Sequence, residues 1–196
     1  MNVVDVGGET TIRLLVFLVL FTVLAVSERL FARRVGKIDW RTRWLNNLLL
    51  SSLNTVLLRI FMPFSGTLFA AYLFDGQGAL LKLTDLPWAL SMGIFIVLFD
   101  LAIYFQHRVF HWLYPLWLLH RVHHTDLDFD VTTGSRFHPL SILISMLFKF
   151  ALICGLGPLP VAVLAAEVLL NGTSMFNHSN IRLPASVDRA LRWMIV

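Results

Sequence analysis

The sequence predicts an all-α integral membrane protein. The fold expected is a helical bundle of about three spanning helices plus a re-entrant or short helical hairpin, with a cytoplasmic histidine-rich cap. Three observations predict it. Hydrophobic residues make up 57% of the 196 residues and charged residues only 14%, against roughly 45–50% and 25% in ordinary globular domains. The apolar residues fall into long runs, and mean hydropathy is +0.74. Six of the seven histidines lie between His107 and His138. The 16 Phe and 6 Trp exclude a disordered chain. The single cysteine, Cys154, excludes an internal disulfide and a cysteine-based zinc site. The formal charge of +4 comes from bases beside apolar runs. They read as orienting charges at a membrane surface and require no nucleic acid.

The chain reads as a single membrane domain, 1–196, with transmembrane helices over 12–111. The first apolar run is Ile12 to Ala32. A signal peptide needs bases before its apolar stretch. Here Asp5 and Glu9 precede the run, and Arg29, Arg33, Arg34, Lys37, Arg41 and Arg43 follow it. It is read as a retained helix with the N-terminus outside and Arg29–Arg43 in the cytoplasm. The second run, Trp44 to Phe74, would reach about 46 Å as one helix, beyond a ~30 Å hydrocarbon core. A single helix kinked at Pro63 accounts for the excess. Asp75-Gly76-Gln77-Gly78 then begins an outer loop. The third run opens at Leu86-Pro87-Trp88 and returns the chain to the cytoplasmic side near His111.

A polar, histidine-rich segment covers 112–139. Residues 140–171 read as a helical hairpin, turned at Gly155-Leu156-Gly157-Pro158-Leu159-Pro160. Arms of about 14 residues would be roughly 21 Å long, short for a crossing. The hairpin brings His178 back to the side of the other histidines. Lys149 and Glu167 stand at comparable depth on its two arms and are predicted to pair, because unpaired charges in hydrocarbon are costly. Residues 172–196 form a cytoplasmic C-terminal segment.

The histidines carry the chemistry. His107 and His111 are four apart; His120, His123 and His124 follow as H-x-x-H-H. Spacings of three and four put side chains on one helical face. Asp100, Tyr104, His107 and His111 share one arc at about 100° per residue. A carboxylate at Asp100 can fix the tautomer of a ligating imidazole, or bind a tyrosine or arginine and only hold helices together. Imidazole suits Fe, Zn, Cu and Ni. Five to seven histidines exceed one mononuclear site, so two metals are the natural count. No H-E-x-x-H, G-x-S-x-G or nucleotide-binding glycine loop is present. Asp126, Asp128 and Asp130 alternate like a calcium loop, but Val131 stands where glycine is needed. They read as solvated loop acids.

Taken together, Asp100-Leu-Ala-Ile-Tyr104-Phe-Gln-His107-Arg108-Val-Phe-His111, His120-Arg121-Val-His123-His124, Arg136-Phe-His138-Pro139 and Phe176-Asn177-His178-Ser179-Asn180 resemble the fatty acid hydroxylase superfamily, also called the sterol desaturase family. The match runs from Asp100 to about Trp193. The resemblance implies a histidine-ligated di-iron oxidoreductase that uses O2 to hydroxylate or desaturate sterol or fatty acyl C–H bonds. It implies metal ligation by His107, His111, His120, His123, His124 and His178, and by His138 as a ligand or a support. Asp100, Tyr104 and Asn180 are then supporting residues around the ligands. Two Fe ions, O2, a lipid substrate and an external electron donor of cytochrome or ferredoxin type complete the expectation. One departure matters: the family expects a further H-x-x-H-H soon after His178, and the chain runs to Arg192-Trp193-Met194-Ile195-Val196 without it. A C-terminally truncated chain is expected on that ground. The rival readings are an inactive relative and a membrane metal- or haem-binding protein. A multi-pass location is expected, in a bacterial inner membrane rather than the endoplasmic reticulum.

Overall fold

The computed structural model describes residues 6–76 and 82–191. Gln77 and Gly78 of the expected outer loop, Asp5, and the ending Arg192–Val196 lie outside them. Among the described residues, eight α-helices follow one another: α1 (Val6–Leu30), α2 (Trp40–Phe61), α3 (Gly66–Gly76), α4 (Trp88–Trp112), α5 (Tyr114–His124), α6 (Pro139–Leu156), α7 (Pro160–His178) and α8 (Ala185–Leu191). Short 3-10 turns occupy Leu83–Asp85 and Val131–Ser135. The described residues form no strand, only an isolated antiparallel bridge between Ala32 and Ile181. The fold is the helical membrane bundle that the composition predicts. Four described stretches are long and apolar enough to cross a membrane: Gly8–Leu30, Trp40–Leu73, Trp88–Trp112 and Pro139–Leu156.

The second run departs from a single kinked helix. It is broken into α2 and α3, with residues 62–65 outside both. Proline lacks the N–H that a continuing helix needs, so Met62 closes α2 by donating to the Leu58 carbonyl. Ser65 restarts the chain, its hydroxyl accepting the Leu68 N–H at 3.1 Å.

The hairpin arms are longer than expected. α6 begins at Pro139 because the His138 side chain caps it, and α7 continues without a break to His178. At 1.5 Å per residue the arms are about 27 and 29 Å long. Gly157 turns the hairpin in the left-handed region, φ 56°, where a side chain would be strained.

Lys149 and Glu167 do pair, at 3.2 Å, but not alone. Arg13 of α1 reaches the other Glu167 oxygen at 2.6 Å and Glu9 at 2.8 Å. It also donates to the Thr67 hydroxyl, and the Ser65 hydroxyl donates to Glu9. Two acids and two bases thus neutralise one another where α1, α3, α6 and α7 meet. That leaves no uncompensated charge in the low-dielectric interior of this network.

Away from this network, Ala70, Phe95, Phe99, Ile153, Ala162, Val163 and Ala166 form the main apolar core. The outer faces of α1, α2 and α4 expose leucines, valines and phenylalanines, as surfaces facing lipid would. A smaller cluster, Leu24, Val131 and Met175, closes the opposite end of the bundle. There the α1–α2 loop, α5, the Val131–Ser135 turn and the end of α7 converge.

Candidate metal centre

Two of the histidines needed for a metal site come from one helix by periodicity alone. His107 and His111 are successive turns of α4 on its exposed face. Pro115 near the start of α5 forces a corner after Trp112, and α5 folds back along the end of α4. That corner sets His120 and His124 against the first pair. His111 Nε2 lies 3.1 Å from His107 Nε2 and 3.2 Å from His124 Nε2, which is 3.2 Å from His120 Nε2. One ligand atom from each of the four lies within 4.8 Å of the other three. Two imidazoles sharing one ion at 2.0–2.1 Å place their nitrogens roughly 3.0–3.4 Å apart. The spacings fit that requirement. Trp117 flanks the group, its ring 5.3 Å from that of His111 and 5.6 Å from that of His124.

A second pair stands beside the four. His123 Nε2 faces His178 Nε2 at 2.8 Å, and the His123 ring centroid is 5.5 Å from that of His120. Each ring is turned by a backbone carbonyl: His123 Nδ1 is 3.2 Å from the Arg136 carbonyl and His178 Nδ1 is 2.6 Å from that of Ser174. A carbonyl accepts only, so both Nδ1 atoms carry the proton. Both Nε2 atoms then present lone pairs to each other. One cation beside the pair, at the usual 2.0–2.1 Å from each nitrogen, could be shared by both. Phe137 stacks on the His123 ring at 4.8 Å and 2°.

His120 and His123 are only 4% and 3% exposed. Burial, and then the neighbouring imidazoles, push each down from 6.5 to about 3. His124 is lowered for the same reasons. These rings are neutral at pH 7, the state in which imidazole binds a metal.

The other expected site residues stand elsewhere. His138 Nδ1 accepts the Leu140 N–H at 3.1 Å and caps α6; it joins neither the four nor the pair. Asp100 is exposed on α4, two turns before His107, and Tyr104 is half exposed with its ring against Phe105. Asn180 forms no hydrogen bond to a histidine among the described residues. Its side chain accepts the Arg34 N–H and donates to the Arg34 carbonyl, and its own N–H donates to Glu28.

The loop between α5 and α6 overturns one expectation. Asp126 and Asp130 are not solvated: their side chains are 5% and 10% exposed. Arg43, read from sequence as an orienting charge, is buried between them. Its Nε and Nη2 donate to the two Asp126 oxygens at 2.8 and 2.9 Å, and Nη1 donates to Asp130 at 2.7 Å. Nη2 also meets the Asp128 carbonyl. Burial alone would raise the Asp126 carboxyl, but Arg43, Thr133 and Asn47 hold it below its ordinary value. Asn47 donates to Asp126 and Thr132 and accepts from Arg136. The polar side of α2 thereby holds the turn whose Arg136 carbonyl orients His123. A signal for this was present: Arg43, Asn47 and Asn54, the buried residues of α2, lie within about 40° on one side of the helix.

Gly134 sits where this turn presses on α7. A Cβ there would lie 3.0 Å from the Ser174 carbonyl oxygen. The close approach brings the Arg136 and Ser174 carbonyls, and with them His123 and His178, to one place.

Among known proteins, a sequence family described as Fatty acid hydroxylase matches residues 92–195. No curated protein and no solved structure matches the chain.

Proposed function

The chain belongs to the fatty acid hydroxylase family, and from that premise we propose that it is a membrane-bound, O2-dependent lipid hydroxylase or desaturase whose histidines hold two iron ions. The observation that carries the proposal is the pairing of two imidazole groups. Four ligand nitrogens lie within 4.8 Å of one another, and a further two face each other at 2.8 Å beside them. The donor set is imidazole alone, which iron accepts.

A bound iron pair supplies O2 activation and hydrogen removal from an unactivated C–H bond, chemistry outside the reach of amino-acid side chains. The protein's own residues prepare the site. The Arg136 and Ser174 carbonyls hold the Nδ1 protons of His123 and His178 and free their Nε2 lone pairs. Orienting partners of this kind fix the tautomer of a ligating histidine. Trp117 and Phe137 exclude water from one side of the rings. The exposed apolar face of α4, with Val97, Leu101 and Phe105, lies about a quarter turn round the helix from the arc of His107 and His111 and offers a sterol or fatty acyl chain a surface to enter along from the bilayer. The basic loop between α1 and α2 supports a cytoplasmic histidine end by the positive-inside rule. There an external donor of cytochrome or ferredoxin type delivers electrons.

Metal analysis of the purified chain, with Mössbauer spectra after reconstitution in ferrous iron, tests this reading. About two irons per chain in an all-nitrogen environment, and O2-dependent oxidation of a sterol or fatty acyl lipid, are expected. A Soret band, or retention of one zinc with no uptake of iron, overturns it.

A further inference from the structure

The α1–α2 loop, residues 31–39, joins two stretches, Gly8–Leu30 and Trp40–Leu73, that are each long and apolar enough to span a membrane. It therefore lies at a membrane surface. Every residue from Phe31 to Thr42 is exposed. Among them stand the bases Arg33, Arg34, Lys37 and Arg41, interleaved with apolar Phe31, Val35, which is 92% exposed, and Ile38. Trp40 follows, with the Arg29 guanidinium 4.2 Å from its ring centre. Exposed aromatic and aliphatic residues among cations suit the boundary between headgroups and acyl chains.

The loop is built rather than loose. The Arg33 N–H donates to the Asn180 carbonyl and the Arg34 N–H to the Asn180 side chain, both at 3.0 Å. The Arg182 N–H donates to the Phe31 carbonyl at 2.7 Å. At its other end, one oxygen of Asp128 accepts the Lys37 and Ile38 N–H groups at 2.7 and 2.8 Å. Of the nearby acids, Asp128 is engaged with the loop backbone, Glu28 with the Asn180 N–H and the loop's own Asp39 with the Thr42 hydroxyl. The side chains of Arg33, Arg34 and Lys37 form no ion pair among the described residues. Their backbone is held in place, and their charged ends stay exposed and free of ion pairs among the described residues.

We propose that this loop is a binding surface for anionic phospholipid headgroups of the leaflet at the histidine end, held through Arg33, Arg34, Lys37 and Arg41. The surface bears on the metal centre through its anchors, since Asn180 is two residues past His178 and Asp128 four past His124. A headgroup that orders the loop orders both segments. The proposal does not depend on the reaction catalysed.

The test uses the full chain in nanodiscs of phosphatidylcholine alone or with one third phosphatidylglycerol in both leaflets. Hydrogen exchange and thermal unfolding are read in each. Phosphatidylglycerol is expected to slow exchange at residues 33–38 and 180–182 several-fold and to raise the unfolding midpoint. Both effects shrink in 0.5 M salt, as exposed charge interactions do. R33Q/R34Q/K37Q should weaken the apparent affinity for phosphatidylglycerol by on the order of a hundredfold, while the charge-preserving R33K/R34K/K37R keeps it. The salt titration needs no variant and stands if the neutral one fails to insert. An equal response in both lipids, a response indifferent to salt, or protection by polyglutamate but not by phosphatidylglycerol overturns the proposal.

Discussion

Removal of the Arg43 guanidinium by R43M is the sharpest perturbation of the scaffold behind the histidines. Arg43 bonds both oxygens of Asp126, one of Asp130 and the Asp128 carbonyl, at a place where both carboxylates are at least nine-tenths buried. Methionine fills much of the space and removes the cation. Two buried carboxylates that share contact with Thr133 then face each other uncompensated. Breaking a buried pair this way costs about 3–5 kcal/mol, a large part of a typical ~5–15 kcal/mol stability. The unfolding midpoint should fall by on the order of 10 °C, and bound metal should fall with it as the Arg136 carbonyl leaves His123. R43M/D126N/D130N removes the stranded charges and should recover most of the loss, because neutralising all partners of a buried ion pair is far less costly than removing one. Thermal unfolding in detergent near pH 7, paired with metal analysis, measures both. The depressed Asp126 carboxyl adds a check of sign. Its stabilisation is present above its ordinary value of 3.8 and is lost as pH falls through the lower folded value, so the gap between wild type and R43M narrows in acid. A midpoint for R43M within about 2–3 °C of wild type, or a triple variant no better than the single one, refutes the reasoning.

Three further outcomes follow from the same geometry. His120 and His123 are held near 3 in the fold against 6.5, so the metal-free folded chain binds fewer protons than the unfolded one between those values. Its stability should decline as pH drops through that window, by up to ~1.4 kcal/mol per pH unit for each group, and show no contribution from them above pH 6.5; denaturant titrations across pH 4–8 measure this, and a slope unchanged by H123N counts against it. G134A drives a Cβ to 3.0 Å from the Ser174 carbonyl oxygen and should cost about 1–3 kcal/mol and weaken metal retention. G93A, which meets nothing within 4 Å, should be neutral or stabilising by up to ~1 kcal/mol; equal thermal shifts for the two contradict the packing argument. E167Q should lower the unfolding midpoint more than K149M, because Glu167 answers both Lys149 and Arg13, and reversing Lys149 and Glu167 together should not restore wild-type behaviour, since Arg13 would then face a lysine.

Local periodicity makes the four-histidine group legible in the sequence. Spacings of four in His107–His111 and His120–His124 are one turn of helix each, so each pair meets wherever its helix goes. The Lys149–Glu167 pair is legible for a related reason: two charges at equal depth in a short apolar hairpin have few other partners. The Gly157-Pro158 turn is legible from residues that tolerate left-handed or fixed backbone angles. The supporting residues are not readable in this way. An acid in a polar loop is solvated far more often than buried, and Asp126 and Asp130 differ from that norm only because Arg43, more than eighty residues earlier, comes to lie between them.

The amino-acid sequence alone determined that the chain enters a membrane, how its apolar runs divide it, and which imidazoles share a helical turn. These properties depend on composition and on residues within one or two turns of each other. Tertiary structure decided that His123 meets His178, that Arg13 joins the Lys149–Glu167 pair, and that α2 carries the buried side chains holding the His123 segment. Those contacts join residues 55, 154 and more than 80 positions apart. They arise because a buried charge or polar group must find a partner when the helices close, and which partner lies within reach is set by the packing of the whole bundle.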